Sequence, residues 1–126
     1  MKKVILSSVL AAAAIGSVSP ANAASTVTQF CSGVAGAGIT AAPVTAATSF
    51  VKVAFTPKCS ANAFVYGSDS DTFYRVGAAS AKGKTMFAGS TMGGGIAAAG
   101  ICAANTGCVA SEAGTTAITS TFAATS

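Results

Sequence analysis

The chain has 126 residues, of which 52% are hydrophobic and only 8% are charged, and its formal net charge at neutral pH is +4. This length supports one domain. The few, scattered basic side chains exclude a nucleic-acid-binding surface, which needs clustered Lys and Arg, and they also exclude a polybasic patch for anionic lipids.

Residues 1–23 have the features of a bacterial secretory signal peptide. Lys2 and Lys3 form a positive segment, residues 4–15 are apolar, and Ala23 completes a small-x-small pattern that signal peptidase accepts. The apolar run is shorter than the ~20 residues that a bilayer-spanning helix needs. We therefore expect residues 24–126 to be a single secreted β domain with no membrane insertion. It would pass through the periplasm to the cell surface or the extracellular space.

The composition of residues 24–126 favours strands. Five basic and three acidic side chains remain there, a net charge of +2, and both leucines of the chain, Leu6 and Leu10, lie in the predicted signal peptide. The core must then come from Val, Ile, Phe, Tyr and Met, which are common in strands, while the helix-forming Leu, Glu and Gln are nearly absent. Much of the hydrophobic fraction is alanine, which buries little area, so the core is expected to be thin.

Short strand-like segments follow one another along the chain. Residues 50–66 hold the densest group of large apolar side chains, and we expect them to be the centre of the core. Residues 96–102 could begin a helix, but Gly100 and the flanking glycines argue for a strand. The predicted strands are residues 26–31, 50–55, 61–66, 72–76, 84–88, 96–102, 109–113 and 115–125. About seven or eight short strands predict an all-β fold, a small antiparallel sandwich or partly closed barrel.

The four cysteines predict two disulfide bonds, because an even number of cysteines in a small exported chain is typical of a disulfide-stapled fold. Sequence alone allows three pairings, among which we favour Cys31 with Cys59 and Cys102 with Cys108. The loop between the last two contains Asn105 and Gly107, which can take a positive φ and reverse the chain. The absence of histidine and the cysteine spacing argue against a zinc site.

Other apparent motifs carry little chemistry. Gly83-Lys84-Thr85 matches only the end of a phosphate-binding loop, since position 78 is Ala78 where that loop needs glycine. The run Asp69-Ser70-Asp71 offers too few oxygens for calcium and is expected to be a solvated turn. With no histidine and only three carboxylates, a Ser-His-Asp or Cys-His site cannot be assembled. We expect neither an enzyme nor a bound cofactor or metal.

The function favoured by the sequence is structural. Low charge, many small side chains and a thin core suit a subunit of an extracellular fibre, pilus-like filament or surface coat that polymerises with itself by strand exchange. An export chaperone or outer-membrane channel is a further candidate partner. The predicted donor strand is the alternating C-terminal segment, with residues 24–30 as its competitor. The residues of the predicted C-terminal donor strand are Thr115, Ala117, Ile118, Thr119 and Phe122. The predicted acceptor core is Val51, Val53, Phe55 and Phe64.

The alternative is a monomeric periplasmic or secreted binding module. Its contact surface would be Tyr66, Phe73, Tyr74 and the glycine-rich loop 89–95, because exposed aromatics anchor interfaces and glycine-rich loops adapt. In a small sandwich, however, such aromatic side chains are more often buried.

Overall fold

A five-stranded antiparallel sheet, ordered β1-β4-β5-β6-β7, dominates the computed structural model, which describes residues 26–43, 49–93 and 95–119. A second sheet consists of β2 and β3. The strands are β1 Thr26–Ser32, β2 Gly36–Ala37, β3 Lys58–Cys59, β4 Ala63–Asp69, β5 Tyr74–Ser80, β6 Thr85–Ser90 and β7 Ala97–Ile101, and the helix is α1 Ala110–Thr119. The predicted antiparallel, disulfide-stapled β fold is confirmed, without a closed barrel. The predicted signal peptide lies outside the described residues.

The three central strands, β4, β5 and β6, form a meander, and residues with a positive φ lie before β4 and between β4 and β5. Asn62, just before β4, and Asp71, between β4 and β5, have φ values of +67° and +63°, which Asn and Asp tolerate better than other side chains. The β4–β5 turn is shorter than predicted, because β4 continues through Asp69 and β5 begins at Tyr74. At its other end β5 extends beyond the predicted strand 72–76, since it runs to Ser80.

Two small cores lie on opposite sides of the large sheet. On one side α1 packs on β4 and β5, and the buried residues there are Ala79, Cys102, Cys108 and Ala113, with Phe64, Tyr66 and Met86 against them. On the other side the buried residues are Phe30, Cys31 and Ala41, with Cys59, Val65 and Tyr74 against them. Alanine and half-cystine make up most of both groups, which confirms a thin core.

Both favoured disulfides are present. The long bridge joins Cys31 and Cys59, 28 residues apart, and ties β1 to β3. The short bridge joins Cys102 and Cys108, six residues apart, and closes the loop between β7 and α1. Each bridge belongs to one of the two cores, so a covalent bond supplements the limited apolar burial on each side of the sheet.

The helix α1 was not predicted, and the strand predictions for residues 109–113 and 115–119 are wrong. The Glu112 carboxylate accepts the N–H of Val109 at 2.8 Å, which satisfies a donor at the start of the helix. Small side chains then face the sheet: Ala113 is fully buried, and a Cβ at Gly114 would lie 3.3 Å from the Tyr66 ring. The helix approaches the sheet closely because the buried residues described on this face, Ala113, Gly114 and Thr116, are small. These three residues do not form the large apolar stripe that reveals a helix in a sequence.

The predicted strand 50–55 is also wrong. Residues 50–54 form no ladder, and Phe55 makes only an isolated bridge with Ala41. The N–H groups of Phe50 and Val51 donate to the carboxylate of Asp69 instead of to a neighbouring strand. The segment therefore runs as a loop over β1 and β4, and half of the predicted central core is a covering loop.

None of the helices in residues 26–43, 49–93 and 95–119 is long and apolar enough to cross a membrane.

Candidate functional site

The strand β7 is the most exposed element of the large sheet. It pairs with β6 on one side and stands last in the strand order, so its outer edge has no strand partner among the described residues. Four of its five residues are exposed, and none is charged or proline. An edge strand presents free N–H and C=O groups to another chain, and charges or proline usually protect it.

A bulge in β7 places two large apolar side chains on one face. Met86 pairs with Gly100 and Phe87 with Ala98, so Ala99 is an extra residue. Residues five apart in a regular strand point to opposite faces. Because Ala99 is an extra residue, Ile96 and Ile101 point to the same face in spite of this spacing. Both lie on the side of the sheet away from α1.

That side of the sheet is only half covered. The loops around Ala41 and Phe55 cover β1 and β4, where the Phe30 and Phe55 rings lie 6.0 Å apart. Towards β7 no loop or helix of the described residues covers the sheet, and we call this region the open face. The open face consists of Val76 and Ala78 of β5, Phe87 of β6, and Ile96 and Ile101 beside and within β7. Ile96 is 75% exposed and Ile101 78%.

Two shallow cavities lie on this side. One, of about 340 Å³, is lined by Val65, Ala78 and Phe87 with Lys84 at its rim. The other, of about 220 Å³, lies between Tyr74 and Ile96. Both are lined mainly by apolar side chains, as expected for a surface that takes an apolar partner.

The four predicted acceptor residues do not come together. Phe64 packs with α1 on one side of the sheet, while Phe55 contacts Phe30 on the other. Val53 is 77% exposed and Phe55 48% exposed, and Val51 is half-buried. The prediction is wrong in placing these residues in one core, because the 50–55 segment is a loop.

The predicted donor strand also differs from the structure. Thr115, Ala117, Ile118 and Thr119 belong to α1, in which the Thr116 hydroxyl donates to the Glu112 carbonyl at 2.8 Å. Phe122 lies outside the described residues. The competing N-terminal candidate is β1 from Thr26 onward, which pairs with β4 of its own chain.

The aromatic residues of the alternative binding surface are partly buried. Tyr66 packs against the core that contains the Cys102–Cys108 bridge, and Tyr74 packs against the core that contains Cys31. Phe73 lies beneath the Arg75 guanidinium, whose carbon is 4.6 Å from the ring centroid. Burial, together with the neighbouring Asp69 charge, raises the pKa of Tyr74 to about 12. These three rings therefore do not form one exposed patch.

Asp69 fastens the covering loop to the sheet. It is 8% exposed, and its carboxylate accepts the N–H groups of Phe50 at 2.9 Å, Val51 at 3.0 Å and Asp71 at 3.0 Å. Burial alone would raise the pKa of Asp69, but these three donors and the nearby Lys52 charge outweigh it and lower the pKa. The prediction of a solvated turn is wrong for Asp69, which is a buried anchor.

One group of metal-ligand types occurs in the described parts of the chain. The sulfurs of Cys102 and Cys108 and a carboxylate oxygen of Glu112 lie within 4.8 Å of one another. The sulfurs are bonded to each other in the short bridge. The Glu112 oxygens accept the N–H groups of Val109 and Ala103, which lower the pKa of this carboxyl. In the oxidised protein these three residues hold the loop together and offer no thiolate ligand.

The chain matches no protein-family model, no curated protein and no solved structure at a significant level. The open face has little signal in the sequence, because β7 lacks the polar-apolar alternation of a half-buried strand. The available indication was Ile96–Ile101 itself, six uncharged residues without proline that follow the glycine run 93–95.

Proposed function

We propose that this protein is a structural subunit of an extracellular fibre, pilus-like filament or surface coat, in which copies join through strand addition at the β7 edge. The observation that carries the proposal is the uncharged outer edge of β7 beside the open face, which has no strand partner among the described residues. A strand added there would satisfy the outer N–H and C=O groups of β7, and its side chains would pack beside Ile96 and Ile101.

The rest of the domain suits this role. Two disulfides in a small β domain are compatible with a secreted or extracellular protein. The low charge reduces electrostatic repulsion between copies, and small side chains allow close packing of strands. The role requires no catalytic group. An export chaperone or outer-membrane channel would act by keeping the β7 edge covered until assembly.

The exchanged strand of this proposal differs from the one that the sequence favoured. Residues 115–119 belong to α1, which packs on the sheet, so they would have to unfold before they could be donated. Addition at β7 requires no such unfolding, because the edge is already exposed.

The two apolar cavities favour a second candidate, a monomeric module that binds a small apolar ligand on the open face. The two functions differ in the state of the free protein. A subunit associates with itself as its concentration rises, whereas a binding module stays monomeric.

Sedimentation velocity and negative-stain electron microscopy of the oxidised protein, expressed with its own N-terminal segment, test the proposal. We expect concentration-dependent assemblies that Ile101→Lys weakens at least tenfold, because a desolvated lysine at the edge opposes pairing. Val34→Lys is the matched control, since Val34 is 70% exposed and lies outside the open face. A wild-type protein that remains monomeric at millimolar concentration would contradict the proposal and favour the binding module.

A further inference from the structure

The two edges of the large sheet are not equivalent. At the β1 edge the carbonyl of Phe30 accepts the N–H of Ile39 at 3.0 Å, and the sulfur of Cys59 lies 3.4 Å from the same oxygen. The loop after β2 and the long bridge thus occupy part of that edge. No such cover lies along β7 in the described part of the chain, so β7 offers the freer edge for pairing.

The β7 segment reads nearly the same in both directions. Residues 96–101 are Ile-Ala-Ala-Ala-Gly-Ile. In an antiparallel pair of two such segments, each isoleucine lies opposite the isoleucine at the other end of the partner. Because the bulge puts Ile96 and Ile101 on one face, both pairs would form on the same side of the sheet.

The charges also permit this pairing. The basic residue nearest to β7 along the sheet is Lys84, whose carbonyl accepts the N–H of Cys102 at 2.8 Å. In an antiparallel pair the two copies of Lys84 stand at opposite ends of the joined strands. A six-residue strand is about 20 Å long. This separation exceeds the Debye length of about 8 Å at physiological ionic strength, so the two charges are screened from each other.

We infer that β7 pairs antiparallel with β7 of a second copy, around a two-fold axis close to Ala98. This inference rests on the proposed function and names its partner strand. The two five-stranded sheets become one continuous sheet, and the two open faces form one apolar surface on the same side, opposite both copies of α1. The resulting dimer is isologous and closes at two copies, because it uses the β7 edge of both. It is the building unit of the proposed fibre or coat, which grows from dimer to dimer through the apolar surface that the two open faces form.

Charged substitutions at the two isoleucine positions test this arrangement. In the double variant Ile96→Glu/Ile101→Lys, each lysine would face a glutamate of the other copy. In Ile96→Lys/Ile101→Lys and Ile96→Glu/Ile101→Glu, like charges would meet at both ends. Ile96 and Ile101 are 75% and 78% exposed, so all three variants should keep the fold, and circular dichroism checks this.

Sedimentation equilibrium of the oxidised variants then measures the dimer dissociation constant. We expect the Glu/Lys variant to dimerise at least about tenfold more tightly than both like-charge variants, since each of two cross-strand pairs changes from repulsion to attraction. A single Ile39→Lys variant, at the β1 edge, should dimerise as the wild type does.

The possible failures can be told apart. If the wild type associates but the Glu/Lys variant is no tighter than the other two, β7 does not face β7, and the inference falls while the proposed function stands. Weakened association in Ile39→Lys would likewise overturn it, in favour of head-to-tail pairing of β7 with β1. A wild type that does not associate at all would overturn both the inference and the proposed function.

Discussion

Replacing Asp69 by Asn should destabilise the domain by removing the anchor of the covering loop. The carboxylate accepts three backbone N–H groups, two from Phe50 and Val51 across the chain and one from Asp71. Asn keeps one oxygen and turns an NH₂ group towards the remaining donors. A hydrogen bond to a charged group contributes about 1.5–3 kcal/mol, and a buried donor left unpaired costs about 1–3 kcal/mol. We expect Asp69→Asn to lose about 3 kcal/mol.

Urea denaturation of the oxidised protein at neutral pH measures this loss. Asp71→Asn is the matched control, because it removes the same charge two residues away and Asn tolerates the φ of +63° found there. We expect the control to stay within about 0.5 kcal/mol of the wild type. Equal stability of the two variants would refute the assignment of Asp69 as the anchor.

The pH dependence gives a second test of the same residue. The pKa of Asp69 is lower in the folded protein than its ordinary value of 3.8. Its contribution is therefore complete above that value and is lost as the pH falls through the lowered folded-state pKa. The difference between wild type and Asp69→Asn should shrink in that acidic range. A difference that stays constant down to the acid limit would show that the negative charge is not responsible.

Three further predictions concern the bridges, a glycine and a tyrosine. Replacing both cysteines of the long bridge by serine should lower the free energy of unfolding by about 3.5 kcal/mol, against about 2 kcal/mol for the short bridge, because the longer loop restricts the unfolded chain more. Urea denaturation of both variants measures these losses, and a larger loss for the short bridge would contradict the prediction. Gly107→Ala should lower the free energy of unfolding by more than about 3 kcal/mol, because the φ of Gly107 is +150° and a Cβ there would collide with the carbonyl of Ala81. Gly36→Ala is the control: its φ is +134° but a Cβ would meet no atom, so only the backbone strain of about 1–2 kcal/mol should be lost. The wild type should lose stability as the pH rises from 10 to 12, because the raised pKa of Tyr74, about 12, favours the folded state only while the hydroxyl stays protonated. Tyr74→Phe should not show this loss. Curves of unfolding free energy against pH that run parallel for the two proteins in this range would contradict the prediction.

The parts of the fold that the sequence predicted carry local, periodic information. Strands β1, β4, β5 and β6 were all predicted, with some boundaries displaced, because β-branched and aromatic side chains recur between turn residues there. Strand β7 was predicted as well, because Gly100 and the flanking glycines argue against a helix in residues 96–102. The favoured cysteine pairing was also right. Cys102 and Cys108 lie close together along the chain with Gly107 between them, and its φ of +150° lets the chain turn back.

The parts that were missed depend on contacts between distant segments. Phe50 and Val51 alternate like a strand, but the Asp69 carboxylate takes their N–H groups. Residues 110–119 contain Thr and Ile suited to a strand, but Glu112 satisfies the helix start and Gly114 allows close packing on Tyr66. The bulge at β7 likewise arises from its pairing with β6, so the open face could not be read from the sequence.

Hydrogen–deuterium exchange at β7 tests self-association through this edge most directly. We expect the amides of residues 97–101 to exchange more slowly as the concentration of oxidised protein rises, while those of β1 do not change, because pairing protects only the edge that it covers. Exchange at β7 that is equally fast in dilute and concentrated protein would contradict assembly through this strand.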